Sequence, residues 1–109
     1  MATFYCYKKD AVPFSRANID HMVPTGSGIY IFWANKFCLY VGQSQSLRNR
    51  LLQHWSNCHN VDLKIWIAAK GKGLCINYYD VDRERLTDVE QSYIDRFQPH
   101  LNLINARRL

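Results

Sequence analysis

The sequence has no apolar run near the ~20 residues that a membrane-spanning helix needs, and Met1-Ala2-Thr3-Phe4 lacks the basic patch and apolar core of a signal peptide. Both absences point to a cytoplasmic chain with no membrane partner. No two of the four cysteines, Cys6, Cys38, Cys58 and Cys75, form a Cys-x-x-Cys pair. A zinc module is therefore disfavoured despite the neighbours Cys58 and His59, and the expectation is reduced thiols that pack as small hydrophobes. Repeats, low-complexity tracts and linkers are also missing, so residues 1–109 read as a single domain. Acidic residues are in short supply, nine against fourteen Lys and Arg, which leaves a net charge of +5 and a field that favours a polyanion such as nucleic acid. With 48% hydrophobic content the chain can bury a modest core without help.

What is present is organised by local breaks at Pro13, Pro24–Gly28, Gly71–Gly73 and Pro99. Thr3 to Tyr7 reads as a short strand, and Ser15 as the cap of a brief helix through Met22 that Pro24 ends. Gly28 to Trp33 and Phe37 to Val41 are rich in β-branched and aromatic residues and read as a hairpin. A three-residue loop, Ala34 to Lys36, would set Trp33 opposite Phe37 and Tyr30 opposite Tyr40 on one sheet face; a two-residue loop would separate the tyrosines unless a bulge compensates. Ser46 reads as the N-cap of a helix from Leu47 to Trp55 whose core side is Leu47, Leu51 and Trp55, with Arg50 and His54 together on its flank. Asn60 to Lys70 is ambiguous, since Leu63, Trp66, Ile67 and Lys70 fit a helix ended by Gly71 and Leu63, Ile65 and Ile67 fit a strand; its length and Gly71 favour the helix, and Leu74 to Val81 fits a strand.

The last helix carries an anomaly. From Arg83 to Phe97 the apolar positions Leu86, Val89, Tyr93, Ile94 and Phe97 recur at three- and four-residue intervals. On a helical wheel Glu90 falls inside that stripe. A carboxylate aimed at a core loses hydration and must protonate, pair with a cation or hold a metal. The plain alternative is an ion pair with an arginine or a solvated position at the core edge.

Gly28-Ile29-Tyr30 and Tyr40-Val41-Gly42, followed by Arg50, His54, Glu90 and Pro99-His100-Leu101-Asn102, resemble the GIY-YIG nuclease family. Valine replaces the isoleucine of the second tripeptide, a change that a strand interior accepts. Arg50 stands ten residues after Tyr40, where members carry a catalytic arginine, and His54 where many carry a histidine. Glu90 matches the family's metal-binding glutamate, and the segment ending in Asn102 is similar to that of excision-repair members. The resemblance spans Gly28 to Asn102. Each tripeptide alone is a weak pattern, whereas five elements in order are specific.

The resemblance implies an α+β fold, a small three-stranded antiparallel sheet flanked by helices, with residues 28–102 as the catalytic core and 1–27 as an N-terminal extension. It also implies a one-metal site for phosphodiester cleavage on the sheet surface. There Glu90 would hold one Mg²⁺ or Mn²⁺, and Arg50 would clamp the phosphate through its planar guanidinium. Tyr30 is the implied general base and Tyr40 the residue that orients water or phosphate. An ordinary tyrosine has a pKa near 10, so Tyr30 would need nearby positive charge or a relay to a group such as His54. Gly28, Gly42 and Asn102 would support the site. Taken one at a time these residues have ordinary readings: core aromatics for the tyrosines, a solvated arginine, a surface or capped histidine, and a turn asparagine.

Beyond the site, Arg48, Lys70 and Lys72 are candidates to track a nucleic-acid backbone, and Arg107-Arg108 form a short basic tail. No zinc finger or other targeting module accompanies them, so sequence-specific cutting is not expected. The leading reading is a metal-dependent DNA endonuclease of repair or mobile-element type. The competing reading is a binding or protein-interaction module that kept the fold and lost turnover. Chemically complete positions at all five elements favour the enzyme.

Overall fold

The computed structural model describes Cys6 and residues 8–70 and 73–103. Its elements in order are β1 (Val12–Pro13), α1 (Arg16–Met22), β2 (Gly28–Ala34), β3 (Phe37–Ser44), α2 (Leu47–Asn57), α3 (Val61–Lys70), β4 (Leu74–Asp80), a 3-10 turn (Arg83–Arg85) and α4 (Leu86–Phe97). The antiparallel sheet runs β1-β4-β2-β3. It has four strands rather than the three expected, because the two-residue β1 adds to β4 through Val12 and Ile76. The strand expected at Thr3–Tyr7 lies almost wholly outside the described residues.

β2 is the central strand, and both of its faces are covered. Tyr30 and Phe32 point into one core with Phe14, Ile19, Leu39, Leu47, Leu51 and Leu63, under α1 to α3. Ile29, Ile31 and Trp33 point into the other with Val41 and Leu86, against the apolar stripe Val89, Tyr93, Ile94 and Phe97 of α4. Burial on both sides explains a β2 sequence without a polar alternation. Each fully buried aliphatic or aromatic side chain contributes about 1.5–3 kcal/mol against exposure.

The hairpin differs in register from the expected three-residue loop. Ala34 pairs with Phe37 and Trp33 with Cys38, so the loop is the two residues Asn35-Lys36, with Asn35 at a left-handed φ of 54° that asparagine tolerates. Alone, that loop would put Tyr30 opposite Val41 and turn Tyr40 to the far face. The register then shifts between Phe32 and Trp33, leaving Leu39 as an extra residue, and Phe32 pairs with Tyr40 and Tyr30 with Gly42. The bulge therefore restores the shared face, with the Tyr30 and Tyr40 rings 6.2 Å apart.

Several local signals act as the sequence suggests. The Ser15 hydroxyl accepts the Asn18 N–H at 3.2 Å and starts α1. Asn60 Oδ1 accepts the Leu63 N–H at 3.1 Å and starts α3. Ser46 precedes α2 without a side-chain capping bond; its backbone N–H donates to Ser44 Oγ at 2.9 Å instead. The chain leaves α4 through Gln98 at φ 49° and is helical again at 100–103.

The expectation of reduced thiols is corrected at one pair. Cys6 and Cys75 form a disulfide across 69 residues of sequence, with Cα atoms 5.9 Å apart. Spacing could not reveal it, because the contact depends on β4 and the N-terminal segment meeting in the folded chain. Cys38 and Cys58 are free and buried. Among the described residues no helix is long and apolar enough to cross a membrane.

Candidate active site

β2, β3, α2 and α4 each deliver part of one constellation. Tyr30 is buried on β2, and its hydroxyl lies 2.8 Å from His54 Nε2 on α2. His54 was the surface-or-capped candidate; it is 7% exposed, because the flank beside Leu47 and Leu51 meets the sheet rather than solvent. The Tyr40 ring lies 6.4 Å from the His54 ring. Arg50, one turn earlier on α2, is exposed, and its charge acts on both tyrosines and on His54. Glu90, from the opposite layer, acts on both tyrosines with the opposite sign. β3 is an edge strand, so the two helical layers can meet beside it.

The electrostatics follow from burial first. Desolvation pushes the Tyr30 hydroxyl well above its ordinary range and raises that of Tyr40; Arg50 pulls both back. Tyr40 is further eased downward by a hydrogen bond from the Asn60 side chain. His54 is lowered to about 4, chiefly by burial and then by Arg50 and His59, so its imidazole is neutral at pH 7. Glu90 is half-buried and its carboxyl is raised by desolvation, while a hydrogen bond from Gln43 Nε2 to Oε1 at 3.3 Å acts against the rise.

The low His54 pKa has a consequence for stability. The unfolded chain binds a proton near pH 6.5 that the folded chain refuses until about pH 4. Stability attributable to His54 is therefore complete above pH 6.5 and falls on acidification through that window, by ~2–3 kcal/mol. Urea unfolding at pH 7 and pH 4.5 should show this loss, and His54→Phe should reduce the slope.

The supporting residues have plain steric reasons. A Cβ on Gly42 would run into Cζ and Oη of Tyr30 and sit 2.8 Å from Cε2, so only glycine lets the Tyr30 ring lie across β3. Gly28 is closed in by the Tyr79 carbonyl and by Leu47 Cδ1, which a Cβ would meet at 2.6 Å. Asn102 acts as a strand substitute on the β3 edge: Oδ1 accepts the Val41 N–H at 2.8 Å and Nδ2 donates to the Val41 carbonyl at 2.9 Å. Gly42→Ala is expected to cost ~1–3 kcal/mol of stability, as overpacking does, and to displace the Tyr30 hydroxyl from His54. Urea denaturation would register the first effect, and a change in the Tyr30 and His54 ring signals relative to wild type the second.

A polar groove of about 420 Å³ lies beside Arg50, lined by Gln43, Ser44, Gln45, Ser46 and Leu86. It continues along Asn49 and Gln53 of α2. The candidates for backbone tracking are less united. Arg48 is half-buried and its Nε donates to the Val23 carbonyl at 2.9 Å, which ties α2 to the loop before β2. Lys70 ends α3, while Lys72 and Arg107-Arg108 fall outside the described residues.

Three residues of the site were not singled out by pattern. Gln43 follows Gly42 directly, Asn60 carries a helix-start signal, and Cys58 stands four residues after His54 with Sγ 3.1 Å from Nδ1. Their roles arise from contacts between elements, which no local motif encodes. Among the described residues no Lys, Arg or His lies within ion-pair reach of Glu90. No group of three or more His, Cys, Asp or Glu side chains among them forms a metal cage, at Cys58-His59 or elsewhere.

Comparison with known proteins identifies the fold and the family. The GIY-YIG catalytic domain matches residues 26–105. The fold is that of the GIY-YIG N-terminal endonuclease domain of UvrC from Thermotoga maritima, solved with its catalytic magnesium: TM-score 0.63 at 24% identity, over 79% of this chain and 92% of that one. Two tyrosine-to-phenylalanine variants of that domain, each with its catalytic divalent cation, match at 22% and 21% identity with TM-scores of 0.61 and 0.63, over 79% of this chain and 91% and 92% of theirs. A search of curated proteins gave no match. The match to the catalytic domain covers most of the chain, and the protein therefore belongs to the GIY-YIG family.

Proposed function

We propose that the protein is a metal-dependent endonuclease that hydrolyses DNA phosphodiester bonds with one Mg²⁺ or Mn²⁺. The observation that carries this reading is the convergence of Tyr30, Tyr40, His54, Arg50 and Glu90, from four elements, on one edge of the sheet. A general base, a fixed cation and a carboxylate with no ion-pair partner among the described residues then stand together, and hydrolysis of a phosphodiester needs a base, positive charge and a metal ligand.

The donor set fits a hard, hydrated cation. Glu90 is a half-buried carboxylate whose Oε1 is oriented by Gln43, and among the described residues no cluster of further acidic, Cys or His ligands surrounds it, which suits an ion that keeps most of its waters. When bound, that ion would supply positive charge to the phosphate and the leaving oxygen. The chain's own residues do the rest. Arg50 holds the non-bridging phosphate oxygens through its guanidinium fork. Tyr30 takes a proton from the attacking water while its own hydroxyl proton passes to His54 Nε2, a concerted exchange that avoids the free phenolate that burial disfavours. Tyr40, held by Asn60, orients the water or phosphate. The water oxygen–phosphorus bond forms as the bond to the leaving sugar oxygen breaks.

Purified protein incubated with single-stranded, duplex, nicked and flapped DNA, in Mg²⁺, Mn²⁺ or chelator, tests the reading. Cleavage with metal and none with chelator is expected. Metal-independent binding without cleavage on every substrate would leave a binding module in its place.

A further inference from the structure

His54 reaches beyond Tyr30. Its second ring nitrogen, Nδ1, lies 3.1 Å from Cys58 Sγ, and Sγ lies 3.5 Å from the carbonyl oxygen of Asn60. All three groups sit where α2 passes into α3. Cys58 is buried and its thiol is raised by that burial, so Sγ carries a proton.

The chain of contacts has a direction. A carbonyl oxygen can only accept, so the bond to Asn60 uses the one S–H proton of Cys58. Sγ is then an acceptor toward His54, and Nδ1 must carry the ring proton. A neutral imidazole has a single N–H, so Nε2 is bare, and the Tyr30 hydroxyl donates to it. The opposite tautomer would make Nε2 a donor, and His54 could not take the Tyr30 proton.

We propose that Cys58 is a positioning residue of the active site: its thiol, anchored on the Asn60 carbonyl, fixes His54 in the Nδ1–H tautomer and so makes His54 the acceptor for the Tyr30 proton. The kinetic part rests on the nuclease reading above; the tautomer does not. Water loses one proton to Tyr30 Oη, Tyr30 passes one to Nε2, and the imidazolium keeps its Nδ1–H on Sγ. No bond to Cys58 breaks. As the leaving sugar oxygen takes the proton from Tyr30 Oη, Nε2 returns its proton to Oη, a return that the low affinity of this imidazole favours. Asn60 joins the relay to Tyr40, since its side chain hydrogen-bonds that hydroxyl while its carbonyl anchors the thiol.

Other groups facing the pair are accounted for. Arg50 and His59 act on His54 and both disfavour its protonation. Lys64 of α3 acts on Cys58, and Tyr40 acts on Tyr30. Among the described residues Cys58 Sγ is the hydrogen-bond partner of Nδ1, so the tautomer is assigned to Cys58.

The test is nitrogen-15 NMR of the His54 ring in the metal-free protein at pH 7, in wild type, Cys58→Ala and Cys58→Ser, beside single-turnover cleavage of a DNA substrate across pH. Wild type should show a protonated Nδ1 and a bare Nε2. Cys58→Ala should mix the tautomers and cut the cleavage rate roughly ten- to hundredfold, as does loss of a partner that orients a metal-bound imidazole. Cys58→Ser keeps one donor and an acceptor and should restore both readouts. A protonated Nε2 in wild type, or an unchanged tautomer in Cys58→Ala, overturns the assignment. A tautomer that shifts in Cys58→Ala with no change in rate overturns the positioning role. A wild type that cleaves nothing sinks the nuclease reading and this kinetic role with it, while the ring spectra still decide the tautomer.

Discussion

Glu90→Gln is expected to abolish cleavage, a fall of ~10³-fold or more from the loss of several kcal/mol of charge stabilisation, while DNA binding stays largely intact. The amide keeps the shape and can still bond Gln43, but it removes the carboxylate proposed to hold the cation. Stability should stay level or rise without metal. The Glu90 carboxyl is raised by desolvation, so its ionised form is disfavoured in the folded state and a neutral replacement relieves that penalty. Cleavage rates, equilibrium DNA binding and urea unfolding measured on one preparation separate these effects. Full activity in the variant would end the metal assignment.

Arg50→Lys should lower the single-turnover rate roughly 10²–10³-fold, the range for a loss of ~2–4 kcal/mol of preorganised charge stabilisation. The ammonium keeps the charge that acts on Tyr30, Tyr40 and His54 but loses the planar fork for two phosphate oxygens. Because Arg50 is exposed on α2 and lines the polar groove, folding should be unaffected. Wild-type turnover would reduce it to a diffuse surface charge.

Much of this architecture is legible in the residues, for reasons that differ from element to element. α4 announces itself through the spacing of Leu86, Val89, Tyr93, Ile94 and Phe97, and Glu90 stands out because it violates that spacing. α2 and α3 follow from a cap-type residue and an apolar stripe. Hairpin pairing was harder to read. Sequence identifies two β-rich runs and a turn, but a one-residue difference in loop length inverts a face, and here a bulge at Leu39 inverts it back. Two compensating irregularities leave no local mark, so Tyr30 and Tyr40 share a face through a register other than the simple one.

β1 was missed because two residues ending in Pro13 carry almost no strand signal; they pair only because β4 offers an edge. The Cys6–Cys75 disulfide and the Cys58–His54 contact belong to the same class. Each depends on where the fold brings distant or differently oriented segments, and spacing along the chain is silent on that. The candidate site is legible as a proposal through the rarity of its chemistry at particular places: tyrosines beside glycines on strands, an arginine and a histidine one turn apart, an acid on an apolar face.

The most direct measurement is a titration of Mn²⁺ into the protein bound to a short duplex, read as paramagnetic broadening of the Tyr30, Tyr40 and His54 ring signals. If these residues and Glu90 form one metal-assisted site, all three rings should broaden at low metal concentration in the wild type and remain sharp in Glu90→Gln. Rings that stay sharp in the wild type at saturating Mn²⁺, or that broaden equally in both proteins, would contradict the account.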